Sequence, residues 1–412
     1  MSFTRMTTVT AVATIMGAGA ATADCGIESG RVAILSNDFP ALHAMAEGAM
    51  ECATDSVEVS ANQTTEHRDI QVAALTADPA QYTSAVVANS SIVPLLNEGL
   101  IRPLDDLIEQ YAPDLPMTNR ITIDGQVMAV AFMANAQHLY IREDILAEVG
   151  AEQPQTYEEV LDILARIREA GIMEHPFAMN TGSGWNLGEE FINMYLGHGG
   201  QLFEPGSAQP AINNETGVAT LEMLAELNAY ANPDFLTFDS NATQALWESG
   251  ELAVAQMWGS RGAGILDDEN AASEVTENTV LTAAPTVGGG DTPASTLWWD
   301  GFTIAANISD EDAAATFRAL MHGLRPEVIE ANNDAAVWLM PGFTPGPPAA
   351  GVAETAQSGT RPYPMLPYAG LMHTALGNEL AQFLQGEESA EQALADVEAA
   401  YVSAATEQGF LQ

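Results

Sequence analysis

Beginning at residue 31 the chain repeats one rhythm three times: a short apolar strand, a polar turn and an amphipathic helix. Residues 31–35 (RVAIL) end in Ser36-Asn37-Asp38, and residues 39–52 then place Leu42, Met45, Ala46, Ala49 and Met50 at helical spacing. Residues 56–60 (SVEVS) alternate as a strand does, and residues 66–76 carry a helix. Residues 82–87 form a third strand, closed by Asn89-Ser90-Ser91 ahead of another helix. Strands that recur with helices between them pair in parallel, because each helix carries the chain back to the starting edge. The repeat therefore predicts a parallel α/β sheet with ligand bound at the carboxyl ends of its strands.

After residue 111 the rhythm changes. Residues 121–130 read as a hairpin turning at Asp124-Gly125, and residues 137–141 as one more strand. A helix begins after Thr156, an N-cap whose partner Glu159 completes a capping box, and it runs amphipathically to Glu169. A second α/β unit follows, with strand 176–180, helices 185–197, 217–230 and 243–248, and strand 253–257. Residues 267–296 are acidic and then Gly-rich and read as irregular, while 297–305 return to strand. Helices are expected at 311–324, 372–384 and 389–404. At 412 residues, 47% of them hydrophobic, the chain can fill two cores and favours two domains over one.

Charge decides which partners such a chain can take. It carries 56 Asp and Glu against 12 basic residues, all of them Arg, for a formal net charge of −44. Nucleic acids and anionic bilayers are gripped by clustered Lys and Arg, so both are excluded as partners. Residues 1–23 read as a cleavable secretory signal: Arg5 in the n-region, a small and weakly apolar run over 9–20, and Ala21-Thr22-Ala23 as the cleavage site. The run is shorter than the roughly 20 residues that span a bilayer. Cleavage after Ala23 leaves 11 arginines against 56 acids, so the acidity belongs to the exported, periplasmic product. We read it as halophilic adaptation, salt screening the self-repulsion of the acids, which predicts stability that rises with added salt. Cys25 and Cys52 are the two cysteines; in an exported chain they read as a disulfide closing a loop of 28 residues and contributing roughly 3–4 kcal/mol. The alternative makes Cys25 the lipidated first residue of a lipoprotein, but Asp24 then stands where a small residue is wanted, and Cys52 loses its partner.

Five ordered blocks carry a resemblance. They are Asp124-Gly125-Gln126-Val127-Met128-Ala129-Val130, residues 139–150 (LYIREDILAEVG), residues 154–159 (PQTYEE), Gly199-Gly200-Gln201-Leu202-Phe203, and residues 248–259 (ESGELAVAQMWG). In this order and spacing the chain resembles the extracellular solute-binding proteins of ABC importers, in the maltose-binding-protein-like sugar-binding family (family 1), over essentially its whole mature length. Departures are Met128-Ala129-Val130-Ala131 where the family has an aromatic-Gly-Val-Pro run, Tyr140-Ile141 for a tandem Tyr, and the missing lysines. The resemblance implies a periplasmic-binding-protein-like fold of type II, two α/β domains of discontinuous chain with a hinge between them. One domain would take 24–132 and 305–333, the other 135–299 and 340–412, with crossings near 132–135, 300–304 and 333–341. Ligand would bind in the cleft and close it, presenting a surface to the transmembrane subunits of a permease. The expected ligand is a small carbohydrate, a mono- or disaccharide or a polyol, with no cofactor, no metal and a monomeric protein.

A neutral sugar offers no charge to grip, so its site needs flat aromatic faces for C–H groups and planar polar side chains for hydroxyls. Trp185, beside Asn186, and Trp258 fall where the resemblance places sugar platforms. Trp299 and Asp300 fall at the expected second crossing, although Asp300 could equally cap a turn with Gly301. On the first domain the candidates are Asn37 and Asp38, Gln63, Asn89 and Ser90, all at strand ends, where Asn, Asp and Ser also serve ordinary turns. Arg261 reads either as a ligand contact, which would admit a sugar acid, or as an internal bridge to one of the many acids. Tyr368 lies in a Pro- and aromatic-rich segment that lines the cleft in relatives, with Tyr363 a weaker candidate. All six tryptophans lie between positions 185 and 338, and five of them, Trp298 and Trp338 included, have small, polar or Pro/Gly-rich surroundings; Trp247 is the exception and reads as packing a helix.

An enzyme is the rival from another class. Adjacent acids occur at Asp105-Asp106, Glu189-Glu190 and Asp267-Asp268, yet 56 acids make chance pairs inevitable, and adjacency does not set two carboxylates across a glycosidic bond. The chain has no H-E-x-x-H and no G-x-S-x-G, and a P-loop is impossible without lysine. A binder of another solute, such as a sugar acid, is the closer alternative.

Overall fold

The computed structural model describes residues 25–267, 269 and 271–412. The stretch read as an export signal, 1–23, together with Asp24, Asp268 and Asn270, lies outside the described residues. In chain order the described strands are β1 (Gly30–Ser36), β2 (Val57–Gln63), β3 (Ser84–Ala88), β4 (Arg120–Ile123), β5 (Gln126–Asn135), β6 (Gln137–Arg142), β7 (Phe177–Ala178), β8 (Val254–Trp258), β9 (Thr279–Thr282), β10 (Thr296–Phe302), β11 (Val337–Trp338) and β12 (Arg361–Pro362). They form two sheets. One has the order β11-β5-β10-β3-β1-β2, with β4 on β5 and β12 on β10; the other has the order β7-β8-β6-β9.

The threefold rhythm at the start makes the parallel part, β2 and β3 flanking β1 in parallel register. Beyond it β10 runs antiparallel to both β3 and β5, while the short β12 pairs with β10 in parallel. Asp124 (φ 51°) and Gly125 (φ 82°) are both left-handed, the geometry that lets the β4–β5 hairpin turn in two residues. One residue, Ala136, separates β5 in the first sheet from β6 in the second. β10 also touches both sides: the Ser295 hydroxyl just before it donates to the Gln137 carbonyl, while Phe302 at its end pairs with Val86 of β3.

Each sheet has its own core. The first gathers Ile34, Leu42, Val86, Phe132 and Phe317, and the second Ile141, Tyr157, Phe191, Leu224 and Tyr401. A smaller cluster surrounds Tyr140 and Trp247, whose indole donates to the Thr279 hydroxyl. Thr156 caps the helix, accepting from the Glu159 amide at 3.2 Å, but the Glu159 carboxylate accepts from the Gln155 amide at 2.6 Å and not from Thr156, so the box is closed one residue earlier than expected.

Three expectations need correcting. Strand 176–180 is reduced to the two residues of β7. The stretch read as irregular holds a short helix, Ser273–Thr276, and β9, which pairs with β6; four strand residues between acidic and Gly-rich tracts are too few to show a period. Helix 372–384 starts earlier and divides into Ala369–Glu379 and Ala381–Leu384. Cys25 and Cys52 are bonded, tying the segment before β1 to the end of helix Pro40–Met50, so the Cys25 sulfur is not free for lipidation.

Candidate functional site

An aromatic wall is built where the second sheet meets β10. Helix Trp185–Gly197 is entered through Gly184 at φ 97°, a backbone state that suits glycine. A β-carbon at Gly377 would lie 2.2 Å from the Gly184 carbonyl oxygen, so helix Ala369–Glu379 meets this turn backbone to backbone, the Gly184 amide donating to Gly377 at 3.0 Å. That contact fixes Trp185. His373 stacks on its ring at 4.7 Å and places Nε2 2.7 Å from the Trp185 carbonyl oxygen. A carbonyl only accepts, so Nε2 carries the proton and Nδ1 accepts from the Tyr363 hydroxyl at 2.8 Å. Burial keeps His373 neutral, lowering its pKa to about 4. Trp258, at the end of β8, stacks 6.3 Å from Trp185; Trp298 meets the two edge-on at 5.6 and 5.8 Å, and Tyr363 lies 4.3 Å from Trp298.

Against this wall stands a cation from the other side. Arg68 is in the first turn of helix His67–Thr76, which follows β2, and its guanidinium carbon lies 4.8 Å from the centre of the Trp185 ring. Nine of the eleven described arginines donate to protein oxygens. The Nε of Arg68 is buried with no hydrogen-bond partner among the described residues. Desolvation lowers its pKa, and the nearby Asp300, Tyr363 and Glu189 oppose that shift. Asp300, half-buried in β10, is pushed up to about 7 by desolvation, with Arg68 pulling the other way. Glu189, one turn beyond Trp185 and fully buried, accepts from the Thr296 hydroxyl at 2.6 Å and the Trp298 indole at 3.0 Å. Its desolvation outweighs these bonds, and the pKa rises to about 8, so it is a neutral acid at pH 7.

Of the residues expected from sequence, Trp185, Trp258 and Asp300 come together around Arg68. Asn186 is half-buried in the same first turn as Trp185. Trp299 packs against the first core, and its amide donates to Asn89 Oδ1 at 2.9 Å, while Asn89 Nδ2 donates to the Leu297 carbonyl at 3.2 Å. Asn89 is fully buried and ties the end of β3 to β10. Gln63 ends β2, and Ser90, half-buried, lies two residues beyond β3; the Gln63 amide nitrogen is buried without a partner among the described residues. Asn37 accepts from the Asp38 amide, and Asp38 is exposed and pairs with His43 at 2.6 Å. Arg261 turns to Gln244 on helix Ser240–Glu248 at 3.1 Å, among Tyr140, Asp239 and Glu248. The Tyr368 hydroxyl donates to Ser207, and its ring contacts are Phe203 and Phe410, not the tryptophans.

Sequence reasoning missed Arg68, Glu189 and His373, and it ranked Tyr363 below Tyr368, the reverse of their closeness to the wall. One signal was available for Arg68: a scarce cation in the first turn of a helix that follows a strand end, where the fold puts ligands.

The comparisons with known proteins agree with this architecture. The chain belongs to the family of bacterial extracellular solute-binding proteins, whose model matches residues 36–321. Its members bind solutes rather than transform them. A "Mannitol-binding protein" of Pseudomonas aeruginosa is 24% identical over 328 residues, covering 72% of this chain and 74% of that protein. Among solved structures, maltose-bound MalE3 of T. maritima superposes with a TM-score of 0.78 at 17% identity, covering 90% of this chain and 99% of that one. An ABC transporter solute-binding protein of Agrobacterium radiobacter K84 in complex with ribitol gives 0.76 at 20% identity, covering 90% and 97%. One of Agrobacterium vitis S4 with bound D-mannitol gives 0.74 at 16%, covering 92% and 99%. The fold is therefore that of the type II binding proteins, two α/β domains of discontinuous chain.

Proposed function

We propose that the protein is the substrate-binding component of an ABC importer, capturing a small carbohydrate, a mono- or disaccharide or a polyol, in the cleft and delivering it to a membrane permease. The observation that carries this reading is the wall of Trp185, Trp258, Trp298 and Tyr363 faced by Arg68 and Asp300. Aromatic faces take the C–H side of a sugar, and the planar charged groups take its hydroxyls. D-Mannitol, ribitol and maltose in the named relatives support the ligand class. Residues 24–132 with 305–333 make one moving domain and 135–299 with 340–412 the other, a division supported by the change of sheet at Ala136. The protein acts as a monomer in the periplasm after cleavage behind Ala23.

Titration calorimetry and tryptophan fluorescence across monosaccharides, disaccharides, polyols, sugar acids, amino acids and polyamines test this. Micromolar or tighter binding of a carbohydrate, with a change in tryptophan emission, is expected. Binding confined to a non-carbohydrate class overturns it.

A further inference from the structure

Cys25 and Cys52 precede β1 and β2, so they lie at the strand ends opposite those that face the proposed site. Here two helices meet without side chains between them. A β-carbon at Gly323, the last residue of helix Asp310–Gly323, would lie 2.2 Å from the Met45 carbonyl oxygen, and one at Gly48 would lie 2.9 Å from the Gly323 α-carbon. Glycine at both positions lets this helix and helix Pro40–Met50 touch backbone to backbone. The close approach sets His322 beside Glu51 and Cys52, and the bond to Cys52 brings Cys25 to the same place. A ring nitrogen of His322 and the two sulfurs lie within 4.8 Å of one another. Among the described residues no other three His, Cys, Asp or Glu side chains meet that distance, although the chain has 56 acids. Glu51 lies 3.5 Å from His322 Nε2 and accepts from Arg325 at 2.8 Å, while Arg325 also donates to the His322 carbonyl at 2.9 Å. Cys52 is buried, and Cys25 and His322 are half-buried, so one side of the cluster faces solvent.

We propose that the protein in its dithiol form holds one zinc ion through Cys25, Cys52 and His322, and that formation of the disulfide expels it. Disulfides form in the oxidising compartment, so an exported chain arrives there with two thiols at this place. Two thiolates and an imidazole are donors that zinc takes, whereas magnesium and calcium take oxygen. Zinc–sulfur bonds of about 2.3 Å put two tetrahedrally arranged sulfurs roughly 3.8 Å apart. Cα atoms 5.6 Å apart permit that separation once the side chains turn. Three protein donors leave the fourth position, on the solvent side, to water. Glu51 beside His322 acts as the carboxylate that steadies a metal-bound imidazole. Binding releases the two thiol protons. Oxidation reverses the capture: the thiolates pass two electrons to a disulfide oxidant, which takes up two protons and leaves as two thiols. The sulfur–sulfur bond forms, and Zn2+ departs because neither thiolate remains. While it is bound, the metal withholds both thiolates from the oxidant. None of this draws on the carbohydrate reading.

The test adds Co2+ and then Zn2+ to the protein lacking residues 1–23, reduced by a phosphine and kept free of oxygen, with circular dichroism reporting its fold. One Co2+ per chain is expected to give the near-ultraviolet thiolate-to-cobalt band and the visible bands of a tetrahedral ion, and Zn2+ to erase both. By competition with a chelator, the oxidised protein is expected to bind Zn2+ at least 1,000-fold more weakly than the reduced one. A reduced, folded His322→Ala is expected to bind at least tenfold more weakly than reduced wild type. Saturating Zn2+ is expected to slow reoxidation by oxidised glutathione at least tenfold. Because reduced and oxidised wild type are compared directly, the proposal is judged even if the variant unfolds. It is overturned by absence of the thiolate band, by a reduced wild type that has lost its near-ultraviolet circular dichroism, or by an oxidised form that binds Zn2+ within threefold of the reduced one. A folded His322→Ala within threefold of wild type, or a reoxidation rate that Zn2+ leaves unchanged, also overturns it.

Discussion

The two sides of the proposed site, one beside each sheet, differ in kind. On the second, the groups that orient the wall are engaged through one atom each: His373 bridges Tyr363 and the Trp185 carbonyl, Glu189 Oε1 holds Trp298 and Thr296, and Gln256 Nε2 donates to Gln137 and Glu190, while Glu189 Oε2, Glu190 Oε1 and Gln256 Oε1 are buried without partners among the described residues. On the first, Arg68 has an unpaired Nε and Gln63 an unpaired amide nitrogen among the described residues. One face fixes its aromatic rings through paired groups and leaves oxygens unpaired, and the other leaves nitrogen donors unpaired.

The largest test of this contrast removes the platform. Trp185→Ala takes away the ring on which Trp258, His373 and Arg68 all rest. Ligand affinity is expected to fall by at least 100-fold, about 3 kcal/mol, a magnitude usual for a central aromatic anchor. Calorimetry against the best wild-type ligand reads it. A loss below fivefold in a folded variant would place the ligand elsewhere.

The second test concerns how the platform tolerates a buried acid. The folded pKa of Glu189, about 8, lies above its ordinary 4.5, so its contribution to stability is fully present below about pH 4.5 and is lost as pH rises through 8. Asp300, at about 7, acts in the same direction. His67, His138 and His373, each lowered to about 4, act oppositely, costing stability as pH falls from 6.5 towards 4. Glu189→Gln keeps an oxygen for Trp298 and Thr296 but cannot ionise. Its stability relative to wild type should grow by about 3 kcal/mol between pH 5 and pH 7.5, followed by urea denaturation at both values. An unchanged difference would mean that Glu189 is ionised in the folded protein.

Much of the fold was legible because its signals are local. Three strand–turn–helix repeats, the Asp124-Gly125 turn and the Thr156 cap each depend on a few neighbouring residues, and each stands in the structure. β9 escaped because its four residues owe their strand geometry to pairing with β6, over 130 positions earlier in the chain. The site was legible by half for the same reason. Trp185 and Trp258 announce themselves by residue type, whereas the part played by Glu189 depends on Trp298 and Thr296 more than 100 residues away. His373 acts through Trp185 and Tyr363, and nothing local to it distinguishes a ring-orienting histidine from a core one. Arg68 becomes distinctive only once nine of the other ten described arginines are seen to donate to protein oxygens.

The smallest expected effect separates engaged groups from free ones. Arg261 and Tyr368 belong to the second domain and resemble site residues in sequence, but each is committed to an internal partner, Gln244 and the Ser207 carbonyl. Arg261→Met removes one partly screened hydrogen bond, and Tyr368→Phe removes one hydroxyl while keeping the ring between Phe203 and Phe410. Each is expected to cost at most about 1 kcal/mol of stability and to leave ligand affinity within twofold of wild type. The contrast with Arg68 is then direct: two arginines, both desolvated, differ in whether a protein oxygen already takes their donors. If Arg261→Met weakens binding as much as Arg68→Met, engagement within the protein is not what distinguishes them, and the division into a committed platform and a donor face fails.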